Sequence, residues 1–169
     1  MDRAGVDSFF DAAKTVAIVD DWRLEPGHPS RHFRTMALEI SGAVVAQLIL
    51  VALSHLGEEK AKAYITWPEP GAQIQIARLE MGNQAIRHAN APPQPHGLPP
   101  WVGCPHAHLW RDNRHLVKDG RSFPGLGYAR PIPGGSMGWE EVVRWFLVEC
   151  KIAAPETLLF GIPRRMTLL

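Results

Sequence analysis

Two histidines separated by a single residue, His106 and His108, are the residues of this chain that most clearly suggest chemistry. Successive side chains of a β-strand point to opposite faces, so a His-x-His pair in a strand places both imidazoles on one face. Adjacent imidazoles can exchange protons near neutral pH or bind a transition metal. The pair therefore predicts a functional site on a strand, which we expect at residues 104–110.

A second pair with the same spacing, Arg78 and Glu80, falls in another predicted strand, residues 72–80. If the two strands are neighbours in the sheet, one polar face collects both pairs, and Arg87 and His88 join it from the connecting loop. Phosphodiester cleavage needs a base, an acid and a cation for the charge of the phosphorane, and this face offers all three. The predicted roles are general base and acid for His106 and His108 in either order, phosphorane stabilisation by Arg78 or Arg87, and orientation of an imidazole by Glu80 or His88.

Metal binding is the alternative use of the same residues. The histidine pair, together with His88 or Glu80, could supply the three ligands that zinc, nickel or iron takes from imidazole-rich sites. Cys104 could act as a further ligand or as a nucleophile, although cysteine is more often a small buried apolar residue. The acid–base interpretation needs neither, so the sequence leads us to expect no metal and no cofactor.

The elements that must position these residues are predicted from apolar periodicity and turn signals. Apolar residues at spacings of three and four predict a helix at residues 6–21. Strands are predicted at residues 33–40, 44–53, 61–67 and 72–80. The run at 44–53 is also compatible with a buried helix. Short connections favour an antiparallel meander over parallel strands joined by helices.

The second half of the chain carries the histidine strand and the clearest helix. Residues 91–100 hold five of the 15 prolines and are expected to form an extended loop that leads into the strand at 104–110. A short sixth strand is predicted at 127–132. Apolar residues line one face of a helix predicted from Trp139 to near Ile152. The apolar tail, residues 153–169, is expected to pack on the body or on a second subunit.

These elements predict a single domain over residues 1–169 with an α+β fold. The expected architecture is an antiparallel meander sheet with an N-terminal helix and a C-terminal helix packed on one face. The length of 169 residues is enough for a hydrophobic core without disulfide staples.

The amino-acid composition and the absence of certain motifs disfavour several classes of function. A net charge of +1 argues against a strongly basic surface over the whole molecule. Only 2 cysteines are present, which fits a reducing compartment, and neither a signal peptide nor a membrane-spanning run is apparent. We therefore expect a cytoplasmic protein that does not bind membranes. Glycine-rich phosphate loops and the Gly-x-Ser-x-Gly motif are absent, which disfavours nucleotide-dependent and serine-hydrolase chemistry.

Several short motifs between about residues 76 and 152 resemble an uncharacterised family of bacteria and prophages. The family motifs are Arg-Leu-Asp, His-x-Asn-Pro-Asp, Pro-His-x-His-x-Tyr-x-Glu-Gly, Trp-Ala and a helix end Phe-Leu-x-x-Cys-x-Ile. The matching segments here are Ala77-Arg78-Leu79-Glu80, Arg87-His88-Ala89-Asn90, Cys104-Pro105-His106-Ala107-His108-Leu109-Trp110-Arg111, Gly127-Tyr128-Ala129-Arg130-Pro131 and Phe146-Leu147-Val148-Glu149-Cys150-Lys151-Ile152. This chain departs from the motifs at Glu80, Ala91-Pro92, Trp110, Asp112 and Tyr128. The resemblance implies special roles for the three motif histidines and a mobile-element setting, but no particular reaction.

Three functions follow from the sequence. The first is a small toxin-like ribonuclease, metal-independent, that uses the His-x-His pair as general acid and base on RNA and is matched by an antitoxin. The second is a non-catalytic phage or prophage protein that inhibits a host or defence complex. The third is a metalloenzyme with histidine ligands. Homodimer formation is compatible with each of them.

Overall fold

The structure is a computed structural model that describes residues 2–53, 57–83, 85–118, 123–134 and 137–162. Its helices are α1 (Arg3–Asp11), α2 (Trp110–Asn113) and α3 (Trp139–Glu149). Its strands are β1 (Lys14–Val19), β2 (Arg23–Glu25), β3 (His28–Ile40), β4 (Ala43–Leu53), β5 (Gly57–Glu69), β6 (Ala72–Glu80), β7 (Arg87–Ala89), β8 (Trp101–Gly103), β9 (His106–His108), β10 (Arg130–Pro131) and β11 (Ile152–Ala153). Short 3₁₀ turns lie at Pro95–Gly97 and Arg114–Leu116.

An antiparallel sheet dominates the fold. Strands β3 to β6 form a meander, which β9 and β10 extend at one edge and β1 and β11 extend at the other. Strand β2 also pairs with β3, and β7 pairs with β8 in a separate two-stranded sheet. The one parallel pair among the described strands joins β1 to β11. The α+β prediction is therefore confirmed, including its antiparallel meander.

The apolar run at residues 44–53 forms a strand rather than a buried helix. Along β4, the alternate residues Ala46, Leu48 and Leu50 are buried on one side of the sheet. Helices α1 and α3 bring Val6 and Phe146 to the same hydrophobic core. The alternate buried residues of β4 and the apolar faces of α1 and α3 therefore pack together in one hydrophobic core.

The helix predicted at residues 6–21 is wrong beyond its first half. Helix α1 ends at Asp11, and the chain continues as β1, which pairs with β3 and β11. Four of the five residues at 15–19 are β-branched, which favours an extended backbone. The buried ammonium of Lys14 donates hydrogen bonds to the carbonyls of Phe9 and Ala12, which satisfies acceptors at the end of the helix.

Several other elements differ from prediction. The strand expected at 104–110 is restricted to β9, because Trp110 begins α2. The strand expected at 127–132 is reduced to β10. Strand β3 begins at His28, earlier than the predicted 33–40. His88, expected in a connecting loop, lies in β7.

The described end of the chain packs against the body. Phe160 is fully buried, and its carbonyl accepts a hydrogen bond from the indole of Trp139. The guanidinium of Arg144 donates to the carbonyl of Leu158. Residues 163–169 of the predicted tail lie outside the described residues. None of the described helices has the length and apolar character required to cross a membrane.

Candidate metal centre

Pairing of β6 with β9 brings the two predicted polar pairs together. In this antiparallel register, Arg78 is opposite His108 and Glu80 is opposite His106. Residues opposite each other on neighbouring strands share a face, so all four side chains lie on one side of this edge of the sheet. Leu79 and its partner Ala107 are buried on the other side. The two-residue spacing in the sequence is what sorts the polar and apolar positions.

A third histidine reaches this face from the small sheet. His88 lies in the middle of β7, and its ring centre is 4.7 Å from that of His108 and 5.6 Å from that of His106. The ring centres of His106 and His108 are 5.2 Å apart. One ligand atom from each of the three side chains lies within 4.8 Å of the other two. We call these three residues the histidine cluster.

The histidine cluster is much more buried than the solvent-facing side of a sheet would be. His108 is 0% exposed and His106 is 2% exposed, whereas His88 is partly exposed. The cluster is therefore open to solvent mainly at His88. Burial on this scale favours neutral imidazoles, because removal from water penalises the charged form.

The hydrogen bond of His88 fixes which of its nitrogens is available. Nε2 of His88 lies 3.0 Å from the carbonyl oxygen of Gly127, so Nε2 carries the proton and donates it. Nδ1 is then the nitrogen with a lone pair. A backbone carbonyl that orients the remote nitrogen is a common partner of metal-binding histidines.

His108 is held as a neutral ring with an acceptor nitrogen. Nη2 of Arg78 lies 3.1 Å from Nε2 of His108, and since a guanidinium only donates, Nε2 is the acceptor. Burial, followed by the positive charge of Arg78, lowers the pKa of His108 to about 2. The backbone of Tyr128 acts in the opposite direction on this pKa, yet the buried Nδ1 has no hydrogen bond of regular geometry.

His106 lies between a carboxylate and a thiol. Its Nε2 is 3.8 Å from Oε2 of Glu80, and its Nδ1 is 3.5 Å from Sγ of Cys104. Burial lowers the pKa of His106, and the charge of Glu80 opposes this shift. Burial also raises the pKa of the Cys104 thiol, which disfavours the thiolate required of a nucleophile.

Arg78 and Glu80 form a charged pair beside the cluster. Nε of Arg78 lies 2.8 Å from Oε1 of Glu80, and Nζ of Lys62 lies 3.3 Å from the same oxygen. Oε2 of Glu80 is the oxygen that faces His106. Glu80 is thus anchored at one oxygen and presents the other to the histidines.

Arg87 does not join this group. It is exposed, and because it precedes His88 on a strand its side chain leaves the opposite face of β7. Among the described residues, no hydrogen bond or ion pair connects Arg87 to the cluster. Of the six predicted site residues, the structure brings together the other five.

Two asparagines that the sequence analysis passed over hold the backbone that orients the histidines. Asn90 Nδ2 donates to the carbonyls of Pro99 and Ala129, and its Oδ1 accepts from the amide of Ala129. Asn113 bonds in the same way to both backbone groups of Tyr128 and to the carbonyl of Leu109. We call these two side chains the asparagine clamps. They hold Tyr128 and Ala129, which directly follow Gly127, whose carbonyl accepts the hydrogen bond of His88.

A buried ion pair completes this support. Asp112 is 0% exposed and receives two hydrogen bonds of 2.7 Å from Nε and Nη2 of Arg130. Arg130 lies on β10, directly beside the histidine strand β9. The sequence signals for these supports are weak: Asn90 lies inside a resemblance motif and Asn113 does not, and a loop asparagine and a clamping asparagine look alike in one sequence.

No family model, curated protein or solved structure matches this chain. The resemblance to an uncharacterised prophage family accordingly remains a prediction. Chemistry must be argued from the cluster itself. Three imidazoles, two of them buried, can together coordinate a divalent transition metal, and a flanking carboxylate can accept a proton next to it.

Proposed function

We propose that this chain is a metal-dependent enzyme in which His88, His106 and His108 bind one divalent transition metal, with zinc as the best fit. The observation that carries the proposal is the convergence of three imidazoles whose ligand atoms lie within 4.8 Å of one another. Imidazole suits zinc and iron, and metal-bound histidines are neutral. The proposal departs from our prediction of a metal-independent site.

The hydrogen bonds of the cluster indicate which nitrogens could bind a metal. Nε2 of His88 donates to the carbonyl of Gly127, so Nδ1 is the nitrogen of His88 that could act as a ligand. Nε2 of His108 accepts from Arg78, so the proton of this neutral ring is on Nδ1, and a metal would have to take the place of Arg78 at Nε2.

Three protein ligands favour a catalytic metal over a structural one. Structural zinc is usually enclosed by four protein ligands, whereas catalytic zinc keeps a position for water or substrate. Among the described residues, the cluster contains three ligands and is partly exposed at His88. Glu80, with Oε2 directed at His106, is suited to accept a proton from a metal-activated water. The reaction class we infer is hydrolysis.

The metal-independent ribonuclease is the second candidate, and the position of Arg78 and Glu80 beside the histidines favours it. A general acid must carry a proton at the working pH, and a pKa of about 2 leaves His108 neutral. His108 and His106 are also too buried to reach a large RNA directly. No contact of the histidine cluster supports the remaining hypothesis, a non-catalytic interaction protein.

The experiment is a cobalt and zinc titration of protein made without a histidine tag. We expect one equivalent of Co²⁺ to give the visible absorption of a low-symmetry site, and Zn²⁺ to displace it. The double variant His106→Ala/His108→Ala should bind neither ion. His88→Ala, which alters the least buried member, tests the same claim if the double variant fails to fold. His28→Ala changes an exposed histidine outside the cluster and serves as the matched control.

The contrary results are equally specific. Wild-type protein that binds no Co²⁺ or Zn²⁺ at micromolar concentrations would overturn the metal proposal. Loss of binding in the His28→Ala control to the same degree as in His88→Ala would also overturn it. RNA cleavage by protein stripped of metal, abolished by His106→Ala, would instead support the ribonuclease.

A further inference from the structure

A cavity of about 470 Å³ lies next to the histidine cluster, where the ends of β3 to β6 meet the segment after β6. Two of its lining residues, Glu80 and Cys104, also contact His106, at 3.8 Å and 3.5 Å. The volume is within the range of sites for small organic molecules. The cavity and the histidine cluster therefore share a boundary formed by Glu80 and Cys104.

One part of the cavity wall is apolar. It is lined by Val51 and Leu53 from β4 and by Met81 and Ile86 from the segment that follows β6. Ile86 is 49% exposed, so this wall is open to solvent at one side. This wall suits a ligand with an apolar body.

The charged part of the wall carries more cations than anions. Arg31, Lys60 and Lys62 line the cavity, and Glu80 is the one acid among the lining side chains that the structure describes. Lys62 is paired with Glu80, and Arg31 is 2.7 Å from Glu25. Lys60 forms no ion pair with any side chain that the structure describes. This excess of positive charge suits an anionic group on the ligand.

We propose that the cavity binds a small organic anion, made of a carboxylate or phosphate group on a short apolar chain, and that this is the substrate class of the site. The apolar wall contacts the chain of the ligand, and Lys60 with Arg31 contacts its anionic group. As a substrate assignment, the inference rests on the proposed metal function, whereas the binding itself can be measured without metal. Glu80 faces both the cavity and His106, so it joins the ligand site to the cluster.

The experiment is calorimetric titration of the metal-free protein with octanoate and with octyl phosphate. Octan-1-ol lacks the charge and acetate lacks the apolar chain, so neither should saturate at the concentrations at which the anions do. Lys60→Glu should weaken binding about tenfold, since it replaces an attraction with a repulsion at a partly screened site. Lys118→Glu, an equal charge change at an exposed lysine outside the cavity, should leave binding unchanged. Preference for one anion identifies the head group as carboxylate or phosphate.

Absence of saturable binding for both anions would overturn the inference, as would equal weakening by Lys60→Glu and Lys118→Glu. The two proposals fail separately. Zinc binding without anion binding overturns only the substrate class. Anion binding by a protein that binds no zinc overturns the proposed function and, with it, the assignment of the anion as a substrate.

Discussion

The asparagine clamps and the histidine cluster are neighbouring groups of buried polar side chains that use their hydrogen-bonding capacity differently. Asn90 and Asn113 each donate two hydrogen bonds and accept one, all with backbone partners. His108 is buried just as completely, yet its Nδ1 has no partner of regular geometry. The clamps therefore use both amide donors and the amide oxygen, whereas the N–H at Nδ1 of His108 has no regular partner and the lone pair at Nε2 is engaged by the side chain of Arg78, which a ligand could replace.

This difference is the one we expect between residues that hold the fold and residues that, in our proposal, hold a ligand. A closed network repays the desolvation of its polar groups through its own bonds. A buried polar group without a regular partner lowers the stability of the folded chain, and clusters of such groups are candidates for functional sites. The histidine cluster also depends on the clamps, because they hold Tyr128 and Ala129 next to Gly127, whose carbonyl orients His88.

The largest expected effect comes from breaking the buried ion pair between Asp112 and Arg130. Asp112→Ala leaves the guanidinium of Arg130 without its buried partner, and we expect a loss of about 3–5 kcal/mol in the free energy of unfolding. Urea denaturation checks the value. Glu140→Ala, which removes a half-exposed pair with Arg144, should cost under about 1 kcal/mol. Equal losses of unfolding free energy in the two variants would contradict the distinction between a buried and a partly exposed ion pair.

A smaller effect is expected where the two regions meet. Asn90→Ala removes three hydrogen bonds and frees the backbone at Ala129, two residues from the carbonyl that holds His88. We expect zinc affinity to fall about 10- to 100-fold, as for other changes to groups that orient metal ligands. A competition titration with a chelator of known affinity measures it. Unchanged affinity in a folded Asn90→Ala protein would show that the clamp does not position His88.

The smallest expected effect is an increase in zinc affinity. Arg78 donates to the nitrogen of His108 that a metal would use, and its charge opposes a cation at the cluster. Arg78→Met keeps the length of the side chain and removes both effects, so zinc should bind about tenfold more tightly. The same titration detects the change. If Arg78 instead stabilises a phosphorane, the variant should lose ribonuclease activity and show no gain in zinc affinity.

The sequence predicted the parts of the site that follow from local periodicity. The two-residue spacing of Arg78 with Glu80 and of His106 with His108 placed each pair on one face, and the register of β6 with β9 joined the pairs. Burial of the cluster could not be predicted, because it depends on where the small sheet carrying His88 lies against the large one. The roles of Asn90 and Asn113 were hidden for the same reason, since their partners are 9 to 39 and 4 to 15 residues away.

The error in the prediction of the first helix, whose second half is the strand β1, has a different cause. Apolar residues between 6 and 21 fit a helical period, but the β-branched residues at 15–19 fit a strand as well. The distant strands β3 and β11 decide between the two by pairing with β1 on both sides. Pairing of this kind is set by tertiary structure, which outweighs weak local preference.

The measurement that tests the central claim most directly is the thermal unfolding of untagged protein with and without zinc. A metal that binds only the folded chain at 100 times its Kd adds about 2.7 kcal/mol, and for a chain of this size we expect Tm to rise by roughly 5–10 °C. His88→Ala should show no rise, while His28→Ala should match the wild type. An unchanged Tm in the wild type, or an equal rise in His88→Ala, would contradict metal binding by the histidine cluster.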